Sequence, residues 1–207
     1  MTLEEAKLHA KRNIHNRPAT TGRLAGKIAI VTGAAQGFGY GIAKEMLKEG
    51  ASIVVADLNE PLAMQVAEEF GEHAMGVKVD VSSAESVEAM IIKTVERFGG
   101  LDGVVNNAGV VRDRMVFNMG PDEFDLVLRV NLGGTFCMTR HAAAWWKRQG
   151  RPGAIVNTTS TSGILGNQGQ SNYGAAKAGV AAFTVITALE LARYGIRVNA
   201  IAPGART

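Results

Sequence analysis

A doubly wound α/β fold is predicted for this 207-residue chain by three observations. Short apolar runs alternate with longer amphipathic segments, the runs are apolar on successive residues, and the first of them ends in a glycine-rich turn. Successive apolar residues, as in IAIV and SIVVA, suit strands covered on both faces, so a parallel sheet between two helical layers is expected.

In chain order the strands are expected at Ile28–Val31, Ile53–Ala56, Ala74–Val79, Gly103–Val105, Ala154–Asn157 and Arg197–Ala200. Helical patterns lie between them at about Gly39–Lys48, Pro61–Phe70, Ala84–Phe98, Pro121–Gln149 and Tyr173–Tyr194. Pro121 with Asp122 and Glu123 suits a helix start, because proline fits the first turn and carboxylates fit its positive end. Residues 1–22 read as a basic arm, a short helix through Ile14 and then a breaking Pro, Thr and Gly stretch; residues 23–207 read as one domain.

Hydrophobic residues make up 46% and charged residues 20%, which excludes disordered, collagenous and disulfide-scaffold chains. The net charge of +3 equals that of residues 1–23, where Lys7, Lys11, Arg12, Arg17 and Arg23 face Glu4 and Glu5. The remainder balances, 17 against 17, with no basic stripe, so nucleic acid is not an expected partner. Cys137 is the only cysteine, and His9, His15, His73 and His141 show no ligand spacing, so neither a disulfide nor a metal is expected. No 18-residue apolar span and no signal-peptide core are read, so no membrane is expected and the cytoplasm is the expected location.

The first strand runs into Thr32-Gly33-Ala34-Ala35-Gln36-Gly37-Phe38-Gly39 and then a helix. In such a turn Gly33 permits the sharp bend, Gly37 lets backbone approach a pyrophosphate, and Gly39 lets helix pack on strand, with Gln36 and Phe38 beside the ligand. Asp57 closes the second strand, 18 residues after Gly39, where a carboxylate accepts from ribose hydroxyls and repels a 2′-phosphate. NAD is therefore expected over NADP. Asp80 and Val81 after the third strand suit an adenine. Asn107, Ala108 and Gly109 after the fourth let the chain run close to the cofactor.

Tyr173 and Lys177, four residues apart at a predicted helix start, share one face, and Ser160 follows the fifth strand at the sheet's carboxyl edge. A phenol titrates near 10, and a nearby ammonium favours its ionised form, so Tyr173 is expected as general acid/base and Lys177 as the source of the field and a ribose contact. Ser160 would hold the substrate oxygen, although a serine in a polar turn has a purely structural reading as well. Neither an elbow motif nor a histidine partner supports a serine hydrolase. Asn131 is an awkward helix former, and a local kink carrying a water or proton relay is its functional reading.

From about Gly22 to Gly204 these residues resemble the short-chain dehydrogenase/reductase family: TGAAQGFG, Asp57, Asp80-Val81, NNAG at 106–109, Asn131, Ser160, Tyr173-x-x-x-Lys177 and Pro203-Gly204, in that order. The resemblance implies a Rossmann-like fold, a catalytic Asn131-Ser160-Tyr173-Lys177 tetrad, and Pro203 and Gly204 lining the nicotinamide. It also implies a homodimer or homotetramer paired through the helices from Pro121 and Tyr173, with Trp145 and Trp146 as packing or interface residues and Cys137 as a buried thiol. Two departures stand out: Phe38 replaces a small aliphatic residue, and the sequence stops at Thr207, so a C-terminal strand and lid are expected to be missing and the native polypeptide to continue.

The function expected is NAD(H)-dependent interconversion of a secondary alcohol and a ketone. NNAGVVRDRMVFNM and GNQGQSNYGAAKAG look like 3-oxoacyl reductases and 3-hydroxyacyl dehydrogenases, whereas AQGFG with the basic arm looks more like polyol dehydrogenases. The alternative is a non-catalytic NAD-binding regulatory or scaffold module.

Overall fold

In the first strand, β1 (Ile28–Thr32), alternate side chains enter two different cores: Ile30 joins one apolar layer, while Ala29 and Val31 join the other. The structure is a computed structural model describing residues 22–204, so the basic arm, apart from Gly22, lies outside the described residues. The chain continues through α1 (Gly37–Lys48), β2 (Ser52–Asp57), α2 (Glu60–Phe70), β3 (Ala74–Lys78), α3 (Ala84–Phe98) and β4 (Gly103–Asn106). There follow a 3₁₀ turn at Val116–Asn118, α4 (Pro121–Leu128), a π-turn at Arg129–Gly133 and α5 (Gly134–Gln149). The last elements are β5 (Gly153–Thr158), α6 (Thr161–Leu165), α7 (Ser171–Leu191), a 3₁₀ turn at Ala192–Tyr194 and β6 (Ile196–Ile201).

All strand pairs are parallel, in the order β3-β2-β1-β4-β5-β6. This is the doubly wound order, whose reversal between β1 and β4 opens a crevice at the carboxyl ends of the strands. One core layer holds Ile30, Val54, Val104, Ile155, Met138 and Trp146; the other holds Val31, Ile53, Val55 and Ala63. Each fully buried aliphatic side chain contributes about 1.5–3 kcal/mol. Trp146 is entirely buried, donates from Nε1 to the Leu101 carbonyl at 2.7 Å, and lies so close to Gly153 that a Cβ there would meet its ring. Trp145 is only partly buried, and Cys137 is buried.

Local sequence explains the helix ends. Asn59 accepts from the Leu62 N–H and Ser83 from the Ser86 N–H, while Gly99 and Gly150 end α3 and α5 in the left-handed conformation. The helix expected over Pro121–Gln149 is helical throughout, passing from α to π winding over Arg129–Gly133, the stretch that carries Asn131. The short α6 is absent from the sequence reading because five residues of TSGIL carry no helical period. Ser171–Tyr194 is long and apolar enough to cross a membrane by length and composition, contrary to the sequence reading; the polar Asn172, Tyr173 and Lys177 in its first turns mask the apolar window that follows.

Candidate active site

Strand ends deliver the site. Gly33 and Gly37 have φ of +65° and +58°, values that L side chains rarely adopt. A Cβ on Gly39 would stand 2.0 Å from the Gly33 carbonyl oxygen and 2.6 Å from Asn107 Nδ2, so only glycine lets α1 start there. Beside Gly37 nothing lies within 4 Å of a Cβ position, and the backbone faces open space. Thr32, unremarked in the sequence reading, ties the turn to the loop after β4. Its hydroxyl accepts from the N–H groups of Asn107 and Ala108, both at 3.0 Å, and Asn107 Nδ2 donates back to the Thr32 carbonyl.

A cavity of about 510 Å³ occupies this crevice, lined by Gly33, Gln36, Gly37, Phe38, Asp57, Asp80, Val81, Asn107, Ala108 and Gly109, with Val110 and Arg112 beyond them. Of the residues expected on the dinucleotide side, Gly39 alone lies outside the lining, where it packs helix on strand. Asp57 also holds backbone: Oδ2 accepts from the Ala35 N–H at 3.1 Å and Oδ1 from the Asn59 N–H at 3.0 Å. Asp80 accepts from the N–H and hydroxyl of Ser82.

A second cavity, of about 250 Å³, adjoins the first, sharing Phe38, Asn107 and Gly109, and brings Asn131, Ser160, Tyr173, Lys177 and Pro203 together with Val111, Thr158 and Thr159. Gly204 lies outside this lining, near Thr161. Ser160 caps α6, accepting from the Ser162 N–H, and shares the lining of this cavity with Tyr173. Lys177 is 3% exposed, donates from Nζ to the Thr158 carbonyl at 2.7 Å and stands 5.6 Å from the centre of the Tyr173 ring. The Thr159 hydroxyl donates to the Lys177 carbonyl at 2.6 Å. Asn131 donates from Nδ2 to the carbonyls of Val110 and Val127, which fixes its Oδ1 facing Gly109; a Cβ on Gly109 would meet that oxygen at 2.4 Å and Lys177 Nζ at 3.7 Å. Asn131 Oδ1 and Thr158 Oγ1 are buried without a partner, acceptors that suit a polar ligand or water.

The electrostatics depart from expectation. Burial pushes Lys177 down to about 8, and burial is also the largest influence on Tyr173, raising its phenol above the ordinary value. The nearby Ser160 hydroxyl acts against that rise and the charge of Asp113 adds to it. The lowering of the phenol expected from the lysine is therefore not realised in the protein by itself. Removing both groups from water outweighs their interaction across 5.6 Å.

The family model for short chain dehydrogenase matches residues 27–207. The chain belongs to this family. Among curated short-chain dehydrogenase relatives, a hydroxyacyl-CoA dehydrogenase of Mycobacterium tuberculosis is 43% identical over 206 residues, covering 92% of this chain and 65% of its own. A 3-oxoacyl-[acyl-carrier-protein] reductase of Vibrio cholerae is 39% identical over 183 residues, covering 87% of this chain and 74% of its own. Among solved structures, a 3-ketoacyl-(acyl-carrier-protein) reductase of Brucella melitensis complexed with NADH superposes with a TM-score of 0.85 at 36% identity, covering 88% of this chain and 77% of that one. The chain thus spans 65% of the length of the first of these curated relatives and 74% of the second.

Beyond the family motifs, Thr158 and Thr159 line the smaller cavity of this short-chain dehydrogenase chain, and Thr32 and Asn172 brace the segment that walls the two cavities, without having been singled out in the sequence. The available signal was a hydroxyl at the end of an apolar strand, or an amide among the small residues of a helix start.

Proposed function

We propose that this chain is the cofactor-binding and catalytic unit of a nicotinamide-dependent oxidoreductase that interconverts a secondary alcohol and a ketone. The observation that carries this reading is the convergence of Ser160, Tyr173, Lys177 and Asn131 on a small cavity opening into a larger, glycine-walled one. The larger cavity fits a dinucleotide. Gly37 leaves room for a pyrophosphate at the start of α1, and the carboxylate at the end of β2 stands where a ribose would be read. Asp57 favours NAD(H) over NADP(H), because a 2′-phosphate would meet its charge. A nicotinamide held where the two cavities meet, beside Asn107 and Gly109, would supply the hydride chemistry.

The chain's own residues supply the rest. Ser160 holds the substrate oxygen against the Tyr173 hydroxyl. Tyr173 donates a proton to that oxygen in reduction and takes it back in oxidation. Burial keeps the Tyr173 phenol protonated at neutral pH, the form that donates in reduction. Lys177, at about 8, is mostly charged at neutral pH, and its ammonium is the residue-borne charge that opposes the burial of the phenolate. The names of the relatives direct the substrate choice toward 3-oxoacyl and 3-hydroxyacyl thioesters. Exposed Val185, Ile186 and Leu189 on α7, with Phe136 on α5, support pairing of these helices in a homodimer or homotetramer. A cytoplasmic location is proposed from the single cysteine.

NADH oxidation by the full chain with acetoacetyl-CoA and a panel of other ketones tests the reading. Tyr173→Phe should lower kcat by about 10²–10⁴-fold while NADH affinity stays within about twofold. Undiminished turnover in that variant would overturn the role of the tyrosine. NADH binding without turnover on any ketone or alcohol would instead mark a binding module.

A further inference from the structure

The helix bearing Tyr173 and Lys177 begins at Ser171, and the first N–H groups of any helix lack partners within it. Its N-cap residue, Gln170, makes no capping bond and instead donates from Nε2 to Asp113 Oδ2 at 3.0 Å. Asn172 supplies the acceptor from inside the first turn, its Oδ1 taking the Tyr173 N–H at 2.7 Å. Its Nδ2 donates the other way, to the Arg112 carbonyl at 2.9 Å and more distantly to the Glu123 carbonyl at 3.4 Å. The residue is wholly buried.

With two carbonyls on one side and an N–H on the other, only a carboxamide can satisfy both directions; a carboxylate could accept but not donate. Arg112 closes the segment that walls the larger cavity through Gly109 and Val110, and the same segment receives Asn131 at the Val110 carbonyl. Two residues on, the Arg114 N–H donates to the Gly169 carbonyl at 2.8 Å. The cofactor wall and the first turn of α7 are therefore tied by Asn172 in the interior and by Gln170 and Arg114 nearer the surface.

We propose that Asn172 is a positioning residue that holds Tyr173 in register with the Gly109–Arg112 wall and with Ser160. This rests on the proton-carrier role given above to Tyr173. Asn172 touches neither cavity, so it acts through the backbone of its neighbour. Loss of the amide would let the tyrosine ring drift from Ser160 and Lys177, which share its cavity, and so change the surroundings of the phenol.

The test compares the unmodified chain with Asn172→Asp, which keeps shape but loses the donor, and with Asn172→Ala, Gln170→Ala and Tyr173→Phe. Turnover of acetoacetyl-CoA with NADH is followed from neutral to alkaline pH, and NADH affinity is measured separately. Both Asn172 variants should lose about 10–100-fold in kcat with NADH affinity within about threefold, and the alkaline limb of the pH profile should move upward. Gln170→Ala, which cuts the outer tie at a half-buried position, should shift the same limb less, and it carries the test if the Asn172 variants do not fold. An unmoved limb, or a loss of NADH affinity matching the loss of kcat, would overturn the proposal. If Tyr173→Phe keeps full turnover, the proton-carrier role fails by itself. Ultraviolet difference titration of the phenol, with Tyr173→Phe subtracting Tyr40 and Tyr194, still reports whether Asn172 sets its environment; an unchanged titration in Asn172→Asp then counts against the proposal.

Discussion

The larger cavity is walled by backbone and by what glycines leave out, whereas the smaller one is walled by buried polar groups, among them Lys177 at 3% exposure and the unpartnered oxygens of Asn131 and Thr158. At the cofactor end shape is made by the absence of Cβ atoms, so disruption there is steric and local. At the reaction end shape is made by desolvation, so disruption there shows first as altered titration. If this contrast is right, equivalent substitutions in the two regions should fail in different measurements.

The largest effect is expected at Lys177. Its value falls from 10.5 to about 8 in the fold because the charged form is buried. Below about pH 8 folded and unfolded chains both carry the proton, and the folded chain bears the full cost of burying it. Between about 8 and 10.5 the unfolded chain binds more protons, so stability rises with pH across that window. At about 1.4 kcal/mol per unit the rise is on the order of 3 kcal/mol, and the raised phenol of Tyr173 opposes it only above pH 10. Lys177→Met should lower kcat by about 10²–10³-fold and flatten the rise in urea midpoint across the window. A rise that persists in Lys177→Met would place its origin elsewhere and break the contrast.

The glycine turn comes next, because two neighbours there should respond differently. A methyl at Gly39 would lie 2.0 Å from a backbone oxygen that cannot swing aside, so Gly39→Ala should cost about 3 kcal/mol. Gly37→Ala meets nothing within 4 Å and suffers only its positive φ, about 1–2 kcal/mol. Its methyl nevertheless projects toward the space assigned to the pyrophosphate, so NADH affinity should fall by more than this modest strain implies. Thermal melts paired with NADH titrations decide the matter: equal destabilisation by the two alanines would show that open space beside Gly37 is not what distinguishes them.

Much of the architecture is legible in the sequence. Runs such as IAIV and SIVVA named their strands because burial on both faces leaves an unbroken apolar signature, and TGAAQGFG named the turn because each glycine answers a steric demand. Asn131 stands out as a poor helix former, and the stretch that carries it is wound as a π-helix. What stayed hidden depends on contacts distant in sequence. Asn172 meets Arg112 across 60 positions, and the direction of the Tyr173 shift follows from how much water the surrounding fold removes. A four-residue spacing sets a lysine near a phenol but carries no information about dielectric, so the rise that burial imposes on Tyr173 in the protein by itself is not legible in that spacing.

Asp57 is where the two regimes overlap, and its effect should be the smallest. Its oxygens hold the N–H groups of Ala35 and Asn59, a steric and structural task, while its charge faces the larger cavity, an electrostatic one. Asp57→Ala should reduce the preference for NADH over NADPH by about tenfold, equivalent to 1.4 kcal/mol, and should lower stability by about 1 kcal/mol for each backbone bond lost. Asp57→Asn keeps an acceptor for one of the two N–H groups but removes the charge, so it should narrow the preference as far as alanine does while losing less stability. If the preference in Asp57→Asn instead tracks its stability, the carboxylate serves the turn alone, and the cofactor end discriminates by shape with no contribution from charge.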